Sequence, residues 1–149
     1  MLRVSKLTDY ATVVMTTLAE APAEVLSAQV LAERARLEVP TVSKLLKQLA
    51  HAGLIDSFRG VNGGYRLARP PEAISVAEIV IAMEGPIGMT ECSAHEGLCD
   101  HEQHCGVRGN WQRINQAIAQ ALSSVSLADM LKPPGNRRAI ATPLRVALV

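Results

Sequence analysis

The sequence predicts a mainly α fold that carries one β-hairpin. Three observations predict it. Apolar residues recur at helical spacing in three successive early segments. A single glycine-rich turn, Gly60-Val61-Asn62-Gly63-Gly64, separates two short β-type runs. A last amphipathic stretch of about four turns follows a segment without periodicity. Composition agrees with one compact domain, or a small domain plus a dimerisation arm, in 149 residues. Hydrophobic residues make up 48% and aromatic residues only 3%, so Ala, Leu, Val and Ile must fill the core.

Leu7, Ala11, Val14 and Leu18 lie on one face of a first helix, which should stop near Pro22. Ser27 is a good N-cap for a second, with Leu26 and Leu31 at staple positions. Arg36-Leu37-Glu38 makes a short turn. Pro40 suits the first turn of a third helix, whose buried stripe is Val42, Leu45, Leu46 and Leu49. Gly53 stands where a left-handed C-cap is expected. Two helices joined by a short turn, the second with a polar-basic outer face, form a helix-turn-helix.

Residues 54–59 and 65–69 read as paired strands around the glycine-rich turn, and Pro70-Pro71 ends the second. A hairpin directly after a recognition helix is a wing. Ser75 and Glu78 form a capping box, with Ile74 and Ile79 as its staple, for a short helix ending at Gly85. Trp111, Ile114, Ile118, Ala121 or Leu122, and Val125 mark the long helix, and Ser126 caps a short terminal turn around Leu127, Met130 and Leu131. A lone amphipathic helix needs a partner surface, and its own copy supplies one through a two-fold axis. The expected fold is a winged helix-turn-helix with a long C-terminal dimerisation helix. Its parts are a DNA-binding domain at 1–85, a cysteine-bearing loop at 86–109, the dimerisation and terminal helices at 110–131, and a loose tail at 132–149. No internal repeats are visible.

The net charge of +1 hides an asymmetry. Residues 31–69 hold seven basic groups against three acids, a net of +4, and residues 89–105 hold four acids and no Lys or Arg. A basic segment and an acidic one imply two jobs. The start, Met1-Leu2-Arg3-Val4-Ser5-Lys6, does not read as a signal peptide, and no apolar run is long enough to span a bilayer. A cytoplasmic protein without a membrane partner is the expectation.

An α-helix fits the DNA major groove. Thr41, Ser43 and Lys44 near the start of the third helix are candidates for base edges. Lys47 and His51 are placed for phosphates. Arg59 and Arg66 lie on the hairpin, where an arginine can enter the electronegative minor groove. Gly60, Gly63 and Gly64 let a backbone pass close to the sugar-phosphate edge.

Cys92, Cys99 and Cys105 lie within 14 residues. In a reducing compartment such crowding points to metal or redox chemistry. Thiolates suit iron–sulfur clusters or zinc. Structural zinc sites show tighter pairs, and spacings of six and five intervening residues fit a cluster wrapped by a loop better. A thiol switch is a further alternative, although acidic surroundings disfavour low-pKa thiolates. Ordinary loop cysteines are the remaining one. Four ligands are normal, so a fourth must come from His95, His101, His104, Glu102, a small molecule or a second subunit.

Thr8-Asp9-Tyr10-Ala11, Gly53-Leu54-Ile55, Arg59-Gly60-x-x-Gly63-Gly64-Tyr65-x-Leu67 and the three-cysteine loop before Trp111 resemble the IscR/NsrR family of iron–sulfur regulators. The likeness covers about residues 1–131, and the loop resembles the branch regulating SUF-type cluster-assembly operons. It implies a homodimer, a 2Fe-2S or 4Fe-4S cluster on Cys92, Cys99 and Cys105, and contact with double-stranded DNA at an imperfect palindrome through the third helix and Arg59. Two positions depart from it. IscR-type members carry a His three residues after the third cysteine, where this chain has Arg108. NsrR-type members use an N-terminal Asp from the partner subunit, and Asp9 matches it, so the resemblance favours Asp9, supplied in trans, as the fourth ligand. Ser43 stands where IscR-type members carry a Glu used in operator discrimination. The resemblance implies a repressor of SUF-type genes, with nitric-oxide sensing through the same cluster as the alternative and a zinc-stabilised interaction module as another. No paired-carboxylate, nucleophile–base or phosphate-loop pattern points to an enzyme.

Overall fold

The computed structural model describes residues 3–95, 97, 99, 100 and 102–132. Helix α1 is Lys6–Glu20, α2 is Ala28–Ala35 and α3 is Val39–His51. Strands β1 (Ile55–Phe58) and β2 (Gly64–Leu67) form the hairpin, and a 3-10 turn at Pro71–Ala73 leads into α4 (Val76–Glu84). A one-turn helix α5 (Glu91–Ala94), the long α6 (Arg108–Ser123) and a short α7 (Leu127–Leu131) complete the order. The expected tail beyond residue 132 lies outside the described residues.

Local chemistry sets the boundaries. Ser5, Ser27 and Ser126 each accept a first-turn N–H and start α1, α2 and α7. Ser75 and Glu78 close both halves of the capping box on α4. Glu38 at the start of α3 makes no side-chain cap, and Pro40 occupies the first turn. At the other end of α3, Gly53 has φ +73, its N–H reaches Ala50 and the Leu54 N–H reaches Leu49. This is a Schellman closure, with buried Leu54 covering the helix end.

Val14, Met15 and Leu18 of α1, Leu31 of α2, the stripe Val42, Leu45, Leu46 and Leu49 of α3, and Ile74 and Ile79 around α4 are fully buried and form one core. The hairpin joins it through Leu54, Ile55 and Leu67. Strand β2 is sandwiched, with β1 antiparallel on one edge and Leu26 pairing with Tyr65 on the other. Leu127 of α7 is as deeply buried as the α3 stripe and belongs to the same core. The chain therefore leaves the N-terminal domain along α6 and returns to it at α7. Backbone hydrogen bonds from Val76 to Val125 (2.9 Å) and from Leu127 to Ile74 (2.8 Å) fasten the return.

Residues 86–109 hold more local structure than the expected loop. A capping box between Thr90 and Ser93 starts α5, a 3-10 turn forms at Glu102–His104, and α6 begins at Arg108 rather than 110. A single turn is too short to show helical periodicity. Helix α6 has no buried residue along its 16 positions. Val107 just before it, and Trp111 and Ile114 on it, are exposed.

Candidate nucleic-acid interface and cysteine segment

The core stripe of α3 decides which of its residues face outward. Side chains at 3.6 residues per turn leave Pro40, Lys44, Lys47 and His51 directly opposite Val42, Leu45, Leu46 and Leu49, and all four are exposed. Thr41 and Ser43 are half-buried and flank that line. Lys44 and Lys47 thus lead the outer face, and the two hydroxyl residues stand at its shoulders.

On the hairpin, Asp56 pairs with Arg66, and the Arg66 guanidinium stacks over the Phe58 ring at 5.0 Å. Arg66 is therefore partly committed to the hairpin's own packing. Arg59 is exposed at the base of the tip and makes no hydrogen bond or ion pair among the described residues. The Gly63 N–H donates to the Gly60 carbonyl at 3.0 Å and closes the tip. Gly60 has φ +107 with open space beside it. A Cβ on Gly64 would lie 2.5 Å from the Leu26 carbonyl oxygen, and one on Gly63 would overlap the Phe58 carbonyl. Gly63 and Gly64 are thus required by the hairpin itself, before any DNA approaches. Sequence reasoning missed Val61, a wholly exposed apolar residue at the tip that no periodicity marks.

Cys92 is buried in α5 with its Sγ 3.3 Å from the Thr90 Oγ1, and Cys99 and Cys105 are half-exposed. All three are free thiols. Among the described residues, no three His, Cys, Asp or Glu side chains gather into a metal-holding group. His95 and His104 are exposed, and His101 and the Glu102 side chain lie outside the described residues. The donor chemistry nevertheless fits an iron–sulfur group: three reduced thiols, unpaired with one another, on one short segment.

Asp9 is exposed on the first turn of α1 and lines a groove of about 560 Å³ between α1, α4 and α6. Thr8, its neighbour, is buried and donates to the Glu84 carboxylate, which also accepts from the Ser5 N–H at 2.9 Å. The Thr8 hydroxyl, then the Ser5 hydroxyl and N–H, hold Glu84 below the ordinary carboxylate value, against a smaller opposing effect of burial.

A helix-turn-helix with a hairpin wing, followed by three thiols and an uncovered long helix, matches the Rrf2 family of iron-dependent transcriptional regulators over residues 4–133. The chain belongs to that family. Among Rrf2-type relatives, protein rrf2 of Nitratidesulfovibrio vulgaris is 32% identical over 102 residues, 68% of each chain. The HTH-type transcriptional regulator IscR of Xenorhabdus nematophila is 31% identical over 68% of this chain and 62% of its own length. Two solved structures share the fold. CymR, the global cysteine regulator of B. subtilis, has TM-score 0.69 and 30% identity over 88% of this chain and 97% of that one. The T. potens IscR structure has TM-score 0.66 and 32% identity over 87% of this chain and 86% of that one. The protein is thus an IscR-like winged-helix transcription regulator that binds DNA, and not an enzyme. No helix among the described residues is long and apolar enough to cross a membrane.

Proposed function

We propose that this Rrf2-family regulator senses an iron–sulfur cluster held by Cys92, Cys99 and Cys105, and as a homodimer represses SUF-type cluster-assembly genes. The observation that carries this reading is the placement of three free thiols on the one segment that joins the DNA-binding core to α6. The IscR relatives and the family's iron dependence support it. When bound, the cluster supplies a ligand whose presence reports the state of cluster supply. The chain's own residues do the rest. Helix α6, with Trp111 and Ile114 uncovered, offers the two-fold interface. Two copies of α3 then meet major grooves about one helical turn apart, which makes an imperfect palindrome the matching operator. Lys44, with Thr41 and Ser43 at its shoulders, faces the groove, Lys47 is placed for phosphates, and Arg59, with Gly60 and Arg66, addresses the minor-groove side. Asp9 of the partner subunit is the proposed fourth ligand, because its exposed position leaves it open to a second copy.

The test is an anaerobic ultraviolet–visible spectrum of freshly purified protein, with iron, sulfide and zinc counted on the same sample. Broad visible absorbance with matched iron and sulfide is the expected result. A colourless, zinc-loaded sample that resists cluster reconstitution would overturn cluster sensing and leave a DNA-binding winged helix. A second reading, a regulator responding to cysteine supply through its thiols, is favoured by the likeness to CymR. It requires a colourless, zinc-free protein whose DNA affinity changes when the thiols are oxidised.

A further inference from the structure

Asn115 lies on the half-buried side of α6. Its Nδ2 donates to the Ile87 carbonyl at 2.8 Å and reaches the Ser93 carbonyl at 3.4 Å. Those two carbonyls flank Cys92 in the chain, Ile87 before α5 and Ser93 within it. One side chain on the long helix thus ties α5 to the segment that leads into it. Its Oδ1 is buried and has no partner among the described residues. The amide orientation is set by this environment, since turning it over would press Oδ1 against two carbonyl oxygens. The turn is itself tightly closed. A Cβ on Gly88 would lie 2.7 Å from the Ala94 Cα, and the Thr90 N–H donates to the Ser93 Oγ at 2.9 Å.

Helix α6 packs on α4 and α5 without burying any residue fully, and the two-pronged polar clamp is its side-chain hydrogen bond to the Cys92 segment. At its far end α6 runs into Val125 and Leu127, which are bonded to Val76 and Ile74 in the core of the DNA-binding half. A continuous path of packed and hydrogen-bonded groups therefore leads from Cys92 through Asn115 and α6 to that core.

We propose that Asn115 is a positioning residue that clamps the Cys92 turn onto α6, so that a change of state at the Cys92 sulfur is passed to the long helix through the Ile87 and Ser93 carbonyls. The clamp is a matter of geometry alone, and its signalling role rests on the cluster-sensing reading above. A path of contacts transmits only if it has two arrangements that the ligand biases differently, and the experiment addresses both halves of the claim.

The first arm is peptide-resolved iodoacetamide labelling of the full-length, cluster-free protein, with half-exposed Cys99 and Cys105 as internal references. Asn115→Ala should raise the Cys92 labelling rate about tenfold relative to the other two, as a local opening does. Asn115→Asp keeps the side-chain volume, loses the donor, and should behave alike; it serves where the alanine variant fails to fold. An unchanged Cys92 rate, or an equal rise at all three thiols, overturns the clamp. The second arm compares reconstituted with cluster-free protein for affinity to a duplex selected by the wild-type protein from a random-sequence library. The affinity ratio should collapse toward one in the variants. A wild-type ratio retained in a variant whose Cys92 is released overturns the signalling role. A wild-type protein that shows no ratio, or takes up no cluster, overturns the cluster-sensing reading while the labelling result still decides the clamp.

Discussion

The buried Thr8 hydroxyl at the start of α1 donates a hydrogen bond to the Glu84 carboxylate at the end of α4, across 76 residues of sequence. The Ser5 N–H donates to the same oxygen, and Thr8 and Glu84 both line the groove that Asp9 lines. Glu84 is held below its ordinary value of 4.5, first by Thr8 and then by Ser5. A depressed folded-state pKa adds stability that is fully present above the unfolded value and is lost as pH falls through the folded one. Glu78 is also lowered: burial raises it, but the Ser75 N–H and hydroxyl and Arg69 together outweigh that. Glu84→Gln keeps an acceptor for Ser5 and Thr8 but cannot titrate. Urea unfolding at a series of pH values should show a shallower loss of stability below pH 4.5 in the variant than in the wild type. Superimposable pH profiles would mean that the clasp does not discriminate charge.

Salt titration separates the two hairpin arginines. Arg59→Ala should weaken DNA binding and reduce the slope of log affinity against log salt by about one counterion. Arg66→Ala should change that slope less, because its guanidinium is already engaged over Phe58 and opposite Asp56. Equal slopes for Arg59→Ala and wild type would remove the wing contact.

Cys99→Ala should abolish visible absorbance and leave the thermal transition in place. Cys99 is half-exposed and makes no part of the core, so its loss opens no cavity. A variant that retains full colour would strike Cys99 from the ligand set.

Gly64→Ala tests whether the wing's glycines serve the hairpin or the DNA. The new Cβ would press on the Leu26 carbonyl and the Ser27 nitrogen, which are backbone atoms fixed by the start of α2. A loss of about 1–3 kcal/mol in folding stability is expected, the usual range for overpacking a fixed site. Chemical denaturation without DNA measures it. Full stability with impaired DNA binding would instead assign Gly64 to the interface.

Leu127→Ala should cost about 2–5 kcal/mol, as truncation of a fully buried leucine does. The size of the effect, read from denaturant midpoints, checks that α7 belongs to the N-terminal core rather than to an independent arm. A change under about 0.5 kcal/mol, the level of a surface substitution, would refute that placement.

Local sequence chemistry set the order of the helices, the wing and most of their ends. Ser27, Ser75 with Glu78, Gly53 and Ser126 act within one turn of their own positions, and such interactions depend only on neighbours in the chain. The α3 stripe was legible for the same reason, and with it the outer positions of Lys44 and Lys47. Tertiary structure alone decided what depends on distant partners. It set Arg66 over Phe58, made Gly64 a requirement of Leu26, brought Leu127 back into the core and clasped Thr8 to Glu84. It also tied Asn115 to the Cys92 segment, from 28 and 22 residues away. None of these pairs is marked by local spacing, because contact between segments far apart in sequence is fixed by how the buried faces of whole helices pack, and only then by the side chains that meet.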